Sequence, residues 1–206
     1  MTPESPTPPK ITRTDRLRAR TDRWLLRAGR LLHARGVHPD TVTLLGLALV
    51  ALAALVIAGG ALQLGGLILL IGLPLDALDG AVARAMQRAD RFGGVLDSTL
   101  DRVADGLILG ALAYYFATVD QFGLLLLALT GLVGSYVVSY VRARAGEADL
   151  AVRVGLLTRL ERVLLLLAGL IVPPLIVPAL VILAVGSVIT GVQRLWFVYQ
   201  HLDRED

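Results

Sequence analysis

Long stretches without a single charge constrain this chain more than any other feature. Thr41 to Gly59 is an uncharged run of 19 residues, Gln121 to Val141 one of 21, and Val163 to Gln193 one of 31. A bilayer hydrocarbon core about 30 Å thick is crossed by roughly 20 helical residues. The first two runs are therefore one span each. The third exceeds one crossing and is broken by Pro173, Pro174 and Pro178. It reads as two spans joined by a turn, because proline withdraws a donor from a helix interior. Two shorter runs, Ala61 to Leu75 and Gly106 to Val119, reach spanning length only through acidic residues. These are Asp76 and Asp79 in one, and Asp97, Asp101 and Asp105 in the other. The sequence thus predicts an all-α integral membrane protein with six transmembrane helices, near 40–59, 62–85, 93–119, 122–145, 157–174 and 178–200.

Composition supports this. Hydrophobic residues make up 55% of the chain and charged ones 18%, where a soluble domain carries about 25% charge. With no cysteine, disulfide scaffolds, thiolate metal sites and cysteine nucleophiles are excluded. The net charge of +3 would suit nucleic acid or an anionic membrane. A mean hydropathy of +0.69 points to the membrane and away from nucleic acid.

The basic residues are sorted. Nine lie in residues 1–40, four from Arg84 to Arg102, five from Arg142 to Arg162 and two in the C-terminal stretch, which accounts for all 20. The opposite loops, near Gly60, Asp120 and Pro174, have none. The positive-inside rule therefore puts both termini, the 85–92 and 145–156 loops and the acidic site on the cytoplasmic side of a cell membrane. Residues 1–13 read as a disordered tail. Over 14–36, Leu17, Trp24, Leu25, Ala28, Leu31 and Leu32 share a face largely opposite Arg16, Arg20, Arg23, Arg27 and Arg30. That pattern predicts a juxtamembrane amphipathic helix on anionic lipids. The membrane domain runs over 37–200, and 201–206 is a C-terminal tail.

Charges inside spans are costly and mark function by default. Asp76 and Asp79 are three apart, and Asp97 and Asp101 four apart, so each pair shares a helical face. A short loop joins the two helices, and the pairs can face each other across the hairpin. Four carboxylates meeting there repel unless cations neutralise them. An all-oxygen set suits hard ions such as Mg²⁺, Mn²⁺ or Ca²⁺, and four carboxylates can bridge two ions. Helix-end acids paired with Arg84, Arg88, Arg91 and Arg102 are the structural alternative. Gly80, Ala83 and Gly93 leave these faces open to close approach.

Written out, the pattern is Asp76, Asp79, Gly80, Ala83, Arg84, Gly93, Asp97 and Asp101. It resembles the signature of the CDP-alcohol phosphotransferase family at all eight fixed positions. The resemblance implies a transferase in which an acceptor hydroxyl attacks the β-phosphorus of a CDP-linked lipid and CMP leaves. It implies that Asp76, Asp79, Asp97 and Asp101 hold metal, that Asp101 is also the catalytic base, and that Gly80, Ala83, Arg84 and Gly93 serve the CDP-lipid. Asp40 and Thr43, in Pro39-Asp40-x-x-Thr43, resemble the family's Pro-Asn-x-x-Thr nucleotide-binding entry, with Asp in place of Asn. Their structural reading is a helix N-terminus, with Asp40 as cap. The family resemblance also implies a homodimer.

A phosphorylated acceptor needs cationic partners, and arginine's planar fork suits phosphate. Arg142 and Arg144 end the fourth span, Arg159 and Arg162 open the fifth, and Arg194 closes the sixth. Anchoring to lipid headgroups is the alternative for each. Ser139 to Ala145, Arg159-Leu160-Glu161-Arg162 and Val192-Gln193-Arg194 resemble the phosphatidylinositol-phosphate synthase branch of the family. That implies CDP-diacylglycerol as donor and myo-inositol 3-phosphate as acceptor. The branch often carries Lys where Arg142 stands. Glycerol 3-phosphate, the acceptor of phosphatidylglycerophosphate synthases, is the closest rival. A small cation-coupled transporter is the rival of another class, disfavoured because the carboxylates gather toward one face.

Overall fold

A computed structural model describes residues 31, 34, 36, 39–72 and 91–202. Among them the fold is helical and holds no β-strand. The helices are α1 (Pro39–Ala58), α2 (Leu62–Gly72), α3 (Arg91–Thr118), α4 (Phe122–Glu147), α5 (Arg159–Ile171) and α6 (Ile176–Leu202). Of the segment before α1, Leu31 and Ala34 are helical and Gly36 takes a left-handed turn. The remainder of the predicted amphipathic helix, the 1–13 tail, residues 73–90 and the last four residues lie outside the described residues.

Helix positions follow hydropathy and the breaks follow backbone chemistry. α1 turns into α2 at Gly60, whose φ of 89° only glycine adopts without strain. Pro173 opens a short 3₁₀ turn, Pro173–Leu175, between α5 and α6, where the sequence placed a turn. Pro178 falls in the first turn of α6, where no intrahelical donor is required. The sixth helix therefore starts two residues earlier than expected.

Among the described residues, three helical segments are long and apolar enough to cross a membrane, Thr41–Ala58, Phe122–Glu147 and Pro173–Leu202. α3 has 28 residues, but its first fifteen include Asp97, Asp101, Arg102 and Asp105. α5 has only 13 residues. At 1.5 Å per residue it is about 20 Å long, less than the hydrocarbon core. α5 thus covers the middle of the predicted 157–174 span, and the segment before it is non-helical.

α4 packs against α3 and α6, α1 against α3, and α5 against α6. Ile57, Leu109, Leu112, Phe116, Leu170, Leu180 and Leu183 form the centre of an apolar core. Large side chains such as Leu55, Ile71, Leu126 and Val133 point outward, as expected where the surroundings are lipid. Small residues let backbones close in: a Cβ on Gly134 of α4 would lie 2.6 Å from Ser187 Cβ of α6. The core occupies the uncharged part of the bundle. Apart from Asp120 in the turn between α3 and α4, the described charged residues lie toward the other end of the bundle.

Candidate active site

Asp97, Asp101 and Asp105 recur every four residues along α3 and share one face. Opposite them stand Arg159 and Arg162, one turn apart at the start of α5. Asp101 Oδ1 lies 2.6 Å from Arg159 Nη2, and Asp105 Oδ2 lies 3.5 Å from Arg162 Nη2. The helix starts there because Thr158 and Glu161 form a capping box, the Glu161 carboxylate accepting from the Thr158 N–H. Arg102 also approaches Asp101 at 4.0 Å. Its guanidinium donates to the Ser98 carbonyl. The Tyr136 hydroxyl of α4 donates to the Arg102 carbonyl at 3.1 Å and ties α4 to this part of α3.

The non-helical segment leading into α5 is strapped to α6. Thr190 Oγ1 accepts from the Leu157 N–H at 3.0 Å, and Arg194 Nε donates to the Val154 carbonyl at 3.0 Å. Arg194 Nη1 reaches across to the Val138 carbonyl of α4 at 2.8 Å. Gly155 sits under this strap with φ 138°, and a Cβ there would lie 2.5 Å from Thr190 Cγ2. The strap fixes where Arg159 and Arg162 enter the site.

Two cavities meet at this charged seam. The larger, about 330 Å³, has Thr43, Asp97, Asp101, Asp105 and Arg159 in its wall, with Leu69, Ile108, Leu166 and Leu167 supplying apolar lining. The smaller, about 100 Å³, is lined by Arg102, Arg142, Arg159, Arg162, Arg194, Ser139, Val138, Asp101 and Asp105. Asp101, Asp105 and Arg159 belong to both. One chamber therefore suits an apolar molecule with a polar end and the other a compact anion, with a carboxylate between them.

The structure gathers most of the described candidates. Thr43, Asp97 and Asp101 reach the larger cavity, and Arg142, Arg159, Arg162 and Arg194 the smaller. Arg144 does not line either and pairs instead with Glu147 on the exposed side of α4. Gly93 lies one turn before Asp97 without lining either cavity. Asp40 falls in the first turn of α1. Asp76, Asp79, Gly80, Ala83 and Arg84 lie outside the described residues. Asp97 and Asp101, one turn apart in one wall, offer the hard oxygen donors that Mg²⁺ or Mn²⁺ takes, and so fit a divalent ion as part of a larger ligand set. Among the described residues no three acidic or imidazole groups converge.

The profile of the CDP-alcohol phosphatidyltransferase family matches residues 36–199. The chain belongs to that family. Among its relatives is the archaetidylinositol phosphate synthase of Methanothermobacter thermautotrophicus, 39% identical over 79% of this chain and 84% of the relative. Another is the phosphatidylinositol phosphate synthase of Mycobacteroides abscessus, 41% identical over 82% of this chain and 80% of the relative. The crystal structure of Mycobacterium tuberculosis phosphatidylinositol phosphate synthase with CDP-DAG bound superposes with a TM-score of 0.81 at 36% identity, covering 86% of this chain and 94% of that one. The same enzyme in complex with manganese and citrate gives a TM-score of 0.79 at 36% identity, over 85% and 88% of the two chains. The family assignment makes this chain a multi-pass membrane phosphatidyltransferase and an enzyme of phospholipid synthesis.

Three features of this phosphatidyltransferase escaped the sequence reading as site elements. Asp105 follows Asp101 by four residues, and the i, i+4, i+8 repeat was the available signal. Arg102 lines the smaller cavity, but beside Asp101 it looked like an ordinary helix-end partner. The strap made by Thr190 and Gly155 had no local signal, because its partners are more than thirty residues apart and meet only through folding.

Proposed function

We propose that this enzyme transfers the phosphatidyl group of CDP-diacylglycerol to myo-inositol 3-phosphate and releases CMP. The two cavities joined at Asp101 carry this reading. The larger accepts the CDP-lipid, with its apolar walls toward the diacylglycerol and Thr43 and the aspartates toward the nucleotide end. The smaller takes the acceptor's phosphate among Arg142, Arg159, Arg162 and Arg194. Arg144 was a candidate for the same role, and its pairing with Glu147 favours a place outside it.

The acceptor hydroxyl attacks the β-phosphorus, Asp101 takes its proton, and the bond to the CMP oxygen breaks. Arginines on several helices hold the acceptor by its phosphate, so that the hydroxyl approaches from a fixed direction. Asp76, Asp79, Asp97 and Asp101 would hold two divalent ions, Mg²⁺ or Mn²⁺, which when bound neutralise the diphosphate and the departing CMP. Gly80, Ala83, Arg84, Gly93 and Asp40 serve the nucleotide side by the family pattern. The manganese complex and the CDP-DAG complex of the M. tuberculosis enzyme support the metal and donor parts of this reading.

The same reading includes six crossings, an N-terminal amphipathic helix over 14–36 on anionic lipids, cytoplasmic termini and active site, and a homodimer. The one-sided distribution of basic residues supports the orientation. The deciding experiment supplies purified enzyme, CDP-diacylglycerol and Mg²⁺ with inositol 3-phosphate, glycerol 3-phosphate, serine or free inositol, and weighs the lipid product. Phosphatidylinositol phosphate is the expected product. Use of glycerol 3-phosphate with inositol 3-phosphate ignored would replace the acceptor.

A further inference from the structure

Asp105 stands outside the eight-position signature, four residues past its last aspartate. Yet it lines both cavities. Its Oδ2 lies 3.5 Å from Nη2 of Arg162, a residue only 4% exposed. The smaller cavity draws arginines from four helices: Arg102 on α3, Arg142 on α4, Arg159 and Arg162 on α5, and Arg194 on α6. Bringing like charges together at low dielectric is opposed by repulsion and by desolvation of each guanidinium.

The described partners divide this load. Arg194 is held by the carbonyls of Val138 and Val154. Arg159 lies against Asp101 at 2.6 Å. Arg162 has Asp105. A single contact at 3.5 Å, the outer limit of a hydrogen bond, neutralises the guanidinium without consuming its fork. Its Nε is buried and makes no hydrogen bond among the described residues. Arg162 is thus kept in the wall with donor capacity in hand.

We propose that Asp105 is a positioning residue: its carboxylate holds the Arg162 guanidinium in the wall of the smaller cavity, ready for the phosphate of the acceptor. Although Asp105 also borders the larger cavity, its ion pair is with Arg162, and in this role it acts through that arginine and not on the reacting phosphorus. Without its charge the buried guanidinium turns toward other carboxylates or water, and the phosphate meets a disordered fork. This rests on the acceptor reading of the smaller cavity.

The test compares D105N, D105E, R162Q and the D105N/R162Q double variant as full-length enzyme, with Michaelis constants for inositol 3-phosphate and for CDP-diacylglycerol. D105N is expected to raise the acceptor KM at least about tenfold, the loss of one charge-assisted contact, and to leave the CDP-lipid KM within about twofold. D105E, which keeps the charge on a longer arm, is expected to fall between D105N and wild type. The double variant is expected to be no worse than R162Q alone, because Asp105 acts only through that arginine. Equal shifts in both Michaelis constants, or fully additive losses in the double variant, would overturn the proposal. If D105N is not recovered folded, D105E decides: an unchanged acceptor KM, or a matching change in the CDP-lipid KM, overturns it. An R162Q enzyme with normal acceptor KM would instead defeat the acceptor reading itself.

Discussion

The seam between α3 and α5 and the seam between α4 and α6 solve opposite problems. The first faces carboxylates to guanidiniums: Asp101 to Arg159 and Asp105 to Arg162. The second contains almost no charge and closes through small residues, with Gly134 set against Ser187 and Gly131 against Leu183. Apolar surfaces gain little from leaving lipid for protein, so helices in a membrane associate through close packing. Buried ion pairs contribute little net stability once desolvation is counted. The comparison teaches that the α4–α6 seam is built for packing, and that the α3–α5 seam carries the charges to which the proposed function assigns the chemistry. Substitutions that do not strand the buried Arg162 should therefore separate: mainly activity at the Asp101–Arg159 part of one seam, mainly stability at the other.

The largest expected effect is at Asp101. Asp101→Asn should cut turnover by at least about 10²-fold, as loss of a general base does, while the unfolding temperature of the purified enzyme stays near wild type. Near-normal turnover would remove Asp101 from the chemistry, and a collapse in stability would mean that the α3–α5 seam also holds the fold.

Arg194 joins the two regions, since it stands on α6, straps Val154 and lines the arginine cavity. Arg194→Gln should raise the acceptor KM more than about tenfold, the worth of one or two charge-assisted hydrogen bonds, with the CDP-lipid KM nearly unchanged. Steady-state kinetics against each substrate would show it. A change confined to the CDP-lipid would detach Arg194 from the acceptor site.

At the other seam, Gly134→Val forces a Cβ to within 2.6 Å of Ser187 Cβ and 3.3 Å of its backbone carbonyl carbon, neither able to swing aside. Overpacking of this kind costs about 1–3 kcal/mol. Thermal unfolding in detergent should fall, and the folded fraction should keep its specific activity. An inactive but fully stable Gly134→Val enzyme would contradict the division of labour.

Arg144→Gln is expected to change least. Its partner Glu147 is exposed, as is Arg144 itself, and exposed pairs contribute about 0–1 kcal/mol. Both Michaelis constants and the unfolding temperature should match wild type. A raised acceptor KM would return Arg144 to the phosphate pocket.

Much of this molecule is local and therefore readable in one dimension. Uncharged runs marked α1, α4 and the long α5–α6 stretch, because spanning lipid demands an uninterrupted apolar length. The prolines marked the turn at Pro173–Leu175, because a missing N–H is a local fact. Asp97 and Asp101 were placed on one face by spacing alone.

What the sequence could not decide was which arginines converge. Arg142 and Arg144 are two residues apart on one helix, about 200° around its axis. One lines the cavity and the other pairs outward with Glu147. Hydropathy treats them alike, since either would serve as a membrane anchor. Only the packing of α3, α4, α5 and α6 selects between them. The path of the segment before α5 has the same origin: Thr190 and Arg194 hold it against α6, although the start of α5 itself is marked locally by Thr158 and Glu161. A helical period and a hydrophobic length belong to one segment and are written in it. A cluster of arginines drawn from four segments belongs to their arrangement, and comes into being only when the bundle closes.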